Sequence, residues 1–133
     1  MKSDVQNRDD IREFVHSFYE KLLEDRMLKH FFLEVAQISL SKHLPVIVDF
    51  WESVLFKVGK YNGNTMQVHL DLHMEQRINK AHIEQWLKLF NETVDELYEG
   101  PNADKAKNSA KSIAIIIKMK IDNLERKRLE LNN

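Results

Sequence analysis

Four side chains with hydrogen-bonding tips stand at positions where the spacing of the sequence otherwise places hydrocarbon: Tyr19, His43, His69 and Trp86. Tyr19 lies between Phe18 and Leu22 on an apolar stripe. His43 precedes Ile47 by four residues and Trp51 by eight, so all three share one helix face. His69 has Met66, Leu70 and Leu72 as neighbours, and Trp86 is set into the stripe from Ile83 to Phe90. A neutral imidazole is a metal ligand, and Tyr O–H and Trp N–H are donors suited to a partner carrying negative charge. Buried without a partner, each tip costs about 1–3 kcal/mol. Taken singly, each has an ordinary explanation as a hydrogen-bonded core residue, or as an aromatic whose tip reaches water. Four tips from four segments point instead to one shared polar object in the interior.

The elements that must hold these residues follow from hydrophobic periodicity. Ile11, Phe14, Val15, Phe18, Tyr19, Leu22 and Leu23 keep the i, i+3, i+4, i+7, i+8 pattern of a helix with one buried face, and Asp9 and Asp10 stand where carboxylates oppose its positive end. Met27-Leu28 and Phe31-Phe32-Leu33 read as a helical turn and a corner. A second long helix is expected after Ser39 or Ser41, with Pro45 in or near its first turn, and with Leu44, Ile47, Trp51, Val54, Leu55 and Val58 buried. Gly59 would close it. Lys60-Tyr61-Asn62-Gly63-Asn64 is a turn by composition, a short helix follows from Thr65, and 74–80 reads as a loop. Ile83, Trp86, Leu87, Phe90, Val94, Leu97 and Tyr98 mark another helix that Gly100-Pro101 breaks. Asn102 is the expected cap of a last helix burying Ala103, Ala106, Ala110, Ile113, Ala114, Ile117, Ile121 and Leu124, with 125–133 a frayed, charged tail.

Composition supports an all-α chain and removes several function classes. The 133 residues suffice for one domain, spanning 1–133, and are too few for two. Gly and Pro number 3 and 2, where an average chain of this length holds roughly 16. There is no cysteine, which excludes disulfides, zinc thiolates, iron–sulfur clusters and thiol catalysis. With 20 Lys+Arg against 21 Asp+Glu, nothing electrostatic favours nucleic acid or an anionic membrane as partner. The first residues lack the apolar run of a signal peptide, and the longest apolar run, 113–117, is too short to cross a bilayer. A cytoplasmic monomer is expected. Arg126-Lys127-Arg128 reads as solvated cations near a helix C-terminus rather than an anion-docking site.

A haem between the helices would satisfy all four polar tips. One imidazole supplies the axial iron ligand, and on the opposite face donors meet a diatomic ligand that gains partial negative charge. Spacing alone permits His69 or His73, one turn apart, as that ligand. Two other readings stand beside it. One is a haem-free helical interaction or sensor module, with Tyr19, His43 and Trp86 as a buried polar network. The other is a di-iron bundle, which expects paired inward Glu and Glu-x-x-His sets that the sequence does not supply.

From about Ile11 to Leu124 the sequence resembles a truncated haemoglobin of group III. The resemblance is carried by Phe18-Tyr19, Phe31-Phe32, Lys42-His43 with Ile47, Phe50-Trp51-Glu52, Tyr61-Asn62-Gly63-Asn64, His69-Leu70-Asp71-Leu72 and His82-Ile83-Glu84-Gln85-Trp86-Leu87-Lys88-Leu89-Phe90. Group I and II relatives carry Gly-Gly pairs after the first and second long helices; this chain has none, and it keeps a distal-position histidine. Ile83 departs from the Phe of many relatives. The resemblance implies a two-over-two helical sandwich enclosing haem b. His69 matches the proximal iron ligand, leaving His73 a surface or propionate-side histidine. Tyr19, His43, Trp86 and Ile47 match the distal, ligand-binding side. Phe32 matches the porphyrin-packing phenylalanine. Leu72 and Ile78 are further cofactor contacts, and Lys42 and Arg77 are candidates for the propionates or ordinary surface charges. Dioxygen, carbon monoxide and nitric oxide are the implied ligands. Turnover as a nitric oxide dioxygenase or a peroxidase needs an external reductant, such as a reductase, that the chain does not contain. His16, His30 and His82 read as structural or solvent-facing.

Overall fold

The computed structural model describes residues 2–57 and 79–131 and, within them, the side chains outside 31–43. These residues form four α-helices: α1 (Arg8–Glu24), α2 (Lys29–Phe56), α3 (Lys80–Leu97) and α4 (Pro101–Leu131). They close a ring of contacts in which α1 packs on α2 and α3, and α4 packs on the same two. This is the all-α, two-over-two arrangement expected from the sequence.

α1 forms where its stripe predicts, burying Ile11, Phe14, Val15, Phe18, Tyr19 and Leu22. Its cap is Asn7 rather than an aspartate: the Asn7 side chain accepts from the Asp10 N–H at 2.9 Å, while the Asp10 carboxylate accepts from Gln6 N–H at 2.8 Å. At the following corner the Asp25 carboxylate takes the N–H groups of Met27 and Leu28 at 3.0 Å each, and its other oxygen accepts from Gln85 Nε2 of α3 at 2.7 Å. One side chain thus shapes the turn and ties it to α3.

α2 departs from expectation. The corner near Phe31-Phe32 and the helix start at Ser39 or Ser41 are absent; one helix of 28 residues runs through, with Pro45 inside it. A serine permits a cap without compelling one, and Pro45 removes a single N–H, so packing overrides a local cost of about 3 kcal/mol. Beyond Pro45 that packing comes from Val48, Trp51 and Leu55, all buried. Val48, not foreseen on the stripe, is more deeply buried than the half-buried Leu44, Ile47 and Val54. The helix ends at Lys57, whose φ of 57° is left-handed and whose N–H bonds to the Ser53 carbonyl at 3.1 Å, so the stop expected at Gly59 falls two residues earlier. The expected elements from Val58 to Ile78 lie outside the described residues. Arg8 reaches from α1 to Asp49 and Glu52 of α2 at 2.7 and 3.0 Å.

α3 opens on Asn79, and Tyr98, expected on its face, instead caps its end in extended conformation. Tyr98 is nonetheless buried, with its O–H on the Glu13 carboxylate at 2.8 Å. α4 buries Ala103, Ala106, Ala110, Ala114, Ile117 and Ile121 as expected, and small side chains on that stripe let α2 and α3 approach closely. Ile113 and Leu124 are half-buried, and the helix continues to Leu131 with its last turns exposed.

The cap of α4 comes from the far end of the chain. Asp4 accepts the N–H groups of Asn102 and Ala103 at 2.9 Å each, while the Asn102 side chain, expected to cap, donates to the Val5 carbonyl at 2.8 Å. Glu99 N–H bonds to the Ser3 carbonyl at 3.0 Å, and Val5 is fully buried. Gly100 permits this approach: its φ is 146°, and a Cβ there would lie 2.5 Å from the Asp4 Cγ. Asp4→Ala should lower stability by about 1–2 kcal/mol. Gly100→Ala should cost about 1–3 kcal/mol through backbone strain and displacement of Asp4. Urea unfolding monitored by circular dichroism measures both, and the double variant should lose less than the sum because both act on one contact.

Candidate functional site

Three of the expected site residues have described side chains, and each comes from a different helix: Tyr19 from α1, Ile47 from α2 and Trp86 from α3. Tyr19 is buried, and Ile47 and Trp86 pack, half-buried, against the common core. Phe18 stands between the two donors: its ring meets Tyr19 at 6.1 Å and Trp86 at 5.8 Å between centroids, edge-on in both cases. Phe90 supports the group from below, near-parallel to Trp86 at 5.9 Å and to Trp51 at 4.9 Å, with Phe14 and Phe18 meeting it edge-on at 5.9 and 5.2 Å. Each such pair contributes roughly 0.5–1.5 kcal/mol beyond area burial, so the wall bearing Tyr19 and Trp86 is stiff.

From sequence, Phe90 and Trp51 are core residues and belong to the segments that carry the resemblance, with no part at the site assigned to them. Their part as a platform could have been read from the i, i+4 pairs Phe14–Phe18 and Trp86–Phe90, which set two aromatic ridges against each other. His43, Lys42 and Phe32 fall on α2, but their side chains are not among those described; His69, Leu72, His73, Arg77 and Ile78 lie outside the described residues. Of the histidines assigned no ligand role, His16 is exposed and faces Glu20 at 3.1 Å, and His30 is exposed. His82 is structural: its Nδ1 accepts the Asn79 N–H at 3.0 Å while the Asn79 side chain accepts the His82 N–H at 3.1 Å, a reciprocal cap on α3.

Burial sets the protonation of the site. Desolvation pushes the Tyr19 phenol well above its ordinary value, so it stays a donor across the whole physiological range. The aromatic wall, with donor tips on Tyr19 and Trp86, fits a haem whose bound ligand takes on negative charge, since neither tip would repel that charge. Among the described residues no group of three or more His, Cys, Asp or Glu could hold a bare metal ion, and no described helix is long and apolar enough to cross a membrane.

All-helical architecture and an apolar wall carrying a buried phenol fit a globin. Comparison with known proteins makes the class specific. The sequence is 32% identical over 101 residues to the Group 3 truncated hemoglobin ctb of Campylobacter jejuni, covering 74% of this chain and 77% of that protein. The structure superposes on the crystal structure of the group III truncated hemoglobin from Campylobacter jejuni with a TM-score of 0.79, at 29% identity, over 91% of this chain and 95% of that one. No protein-family model matches the sequence. The chain belongs to the group III truncated haemoglobins, and haem-based gas binding follows from that membership.

Tyr98 shares the high phenol pKa of Tyr19, through burial and its bond to the Glu13 carboxylate. The unfolded chain ionises its tyrosines near pH 10. Between there and the folded values the unfolded state binds fewer protons, so stability falls as pH rises. Urea unfolding at pH 9 and pH 11 should show this loss, and Tyr19→Phe and Tyr98→Phe should each reduce it. Absorbance at 295 nm should show both phenols still protonated in the native protein at pH 11.

Proposed function

We propose that this chain binds haem b through His69 and holds dioxygen and other diatomic ligands, carbon monoxide and nitric oxide among them, on the face bounded by Tyr19, His43, Ile47 and Trp86. The haem, when bound, supplies a ferrous centre at which such a gas binds reversibly. The observation that carries the reading is the pairing of Tyr19 and Trp86 across the Phe18 ring. Two donors, one buried and kept protonated, stand on the same rigid wall.

On this reading Tyr19 O–H and Trp86 N–H donate to the bound gas, and Ile47 with the Phe18 edge keeps bulk water from it. His43 acts as a gate or through a water. Phe32, Leu72 and Ile78 pack on the porphyrin, with Lys42 and Arg77 as its propionate partners. Binding is the function proposed; redox turnover would require a separate reductase. The protein is expected to act as a monomeric, cytoplasmic domain spanning 1–133.

The decisive measurement is the absorption spectrum of protein produced with adequate haem. One Soret band per chain, shifting with dithionite and again with carbon monoxide, is expected; a folded, colourless chain that refuses haemin would return the haem-free helical module. Tyr19→Phe should retain haem and release dioxygen roughly 5- to 150-fold faster in stopped flow, the equivalent of losing about 1–3 kcal/mol of hydrogen bonding. His69→Ala should lose haem or change its coordination while His73→Ala does neither; the reverse pattern would move the ligand assignment to His73.

A further inference from the structure

The near-balanced charge of the chain is unevenly spread. α4 carries eight Lys and Arg against Asp104, Asp122, Glu125 and Glu130, whereas the rest of the chain holds 12 against 17. Its alanine stripe is turned to the core, so the opposite side of the helix meets solvent. On that side Ile115, Ile116 and Met119 are 49%, 43% and 60% exposed. Five of the seven exposed large apolar side chains among the described residues belong to α4. At about 100° per residue, Ile115, Met119 and Arg126 fall in one narrow sector, with Lys111 flanking it on one side and Lys105, Ile116 and Lys127 on the other. Lys105, Lys111, Lys120, Arg126 and Lys127 are exposed, and among the described residues none of them faces a carboxylate. The aspartates on this side, Asp122 and Asp104, face Lys80 and Lys107 at 3.1 and 3.8 Å.

We propose that this face of α4 docks the domain on an anionic lipid surface, with Ile115, Ile116 and Met119 entering the headgroup layer and the surrounding cations meeting lipid phosphates. An aliphatic centre flanked by Lys and Arg is the composition that interfacial helices use. Long cationic side chains lay their methylenes on hydrocarbon while their heads stay at the charged surface. The contact is peripheral, since no described helix is long and apolar enough to cross a membrane. Overall charge balance gave no electrostatic reason for such a partner because it averages this face with an acidic remainder. A second copy of the chain fits the face worse, because it would bring like charges together. An acidic protein also fits worse. α4 is a convex ridge without Trp, Tyr or Phe, and protein interfaces are anchored by aromatics seated in shaped pockets. A fluid bilayer asks for charge and hydrocarbon but for no matched shape. The docking does not depend on the proposed gas binding.

The test is flotation of the full chain with vesicles of phosphatidylglycerol and phosphatidylcholine in equal parts, against vesicles of phosphatidylcholine alone. At low salt the anionic vesicles should bind roughly tenfold more protein or better, and about 0.5 M salt should remove most of the difference. Lys111→Gln, Lys120→Gln and Lys127→Gln should each lower the partition constant roughly fivefold. Ile115→Ser combined with Met119→Ser should lower it roughly tenfold at unchanged charge. All these positions are exposed, so circular dichroism should show native helicity in every variant. Arg12→Gln, which removes an exposed cation of α1, should leave partition nearly unchanged. No binding to anionic vesicles, binding that the α4 variants leave intact, or an equal loss in Arg12→Gln would overturn the proposal. Retention on polyglutamate without vesicle binding would also overturn it and give the face to an acidic protein. A dimer in sedimentation equilibrium that the Ile115→Ser, Met119→Ser variant abolishes would give the face to a second copy instead.

Discussion

Everything in the described fold is organised around the ring of Phe90. It is fully buried and packs between two indoles, Trp51 of α2 and Trp86 of its own helix, with Phe14 and Phe18 of α1 meeting it edge-on. Three helices therefore meet on one side chain. Because interiors pack at crystal-like density, a shift of Phe90 would move both indoles and the Phe18 edge together. Tyr19 and Trp86, the proposed donors, lie against the hydrophobic core. That arrangement suits a pocket that must present hydrogen-bond donors without admitting water, since the rings of Phe18 and Phe90 packed on this pair are hydrocarbon.

A second organising contact closes the far end of the molecule. Asp4 caps α4 across a sequence separation of 98 and 99 residues, and Gly100 is the residue whose missing Cβ leaves room for it. The carboxylate does for α4 what Asn7 does for α1 and Asn79 for α3, but it is brought there by tertiary folding. α4 in turn supplies the alanine stripe on which α2 and α3 rest. The two ends of the structure thus use different physics: aromatic packing near the pocket, and charge-assisted hydrogen bonds to orphan N–H groups away from it.

Membership of the group III truncated haemoglobins gives these contacts a purpose. A gas-binding globin needs an apolar pocket whose donors do not ionise at working pH. In the proposed role of donor, Tyr19 meets that need because burial penalises the phenolate. The same helix that presents Trp86 begins at a histidine whose hydrogen bond requires the neutral ring.

The sequence by itself determined the helical class and the buried stripes of α1, α3 and α4, with Tyr19 among the buried residues, because a 3.6-residue period records which side of a helix meets the core. Tertiary structure decided what periodicity does not encode. It ran α2 straight through Ser39, Ser41 and Pro45, since packing of Val48, Trp51 and Leu55 outweighs a local interruption. It ended that helix at Lys57 instead of Gly59, and it gave the cap of α4 to Asp4 instead of Asn102. It also made Phe90 the platform on which Trp51 and Trp86 stack. For the run of α2 and the cap of α4 the deciding partner comes from packing across helices or from a distant part of the chain, and a local pattern cannot say which of several permitted caps the rest of the molecule will use.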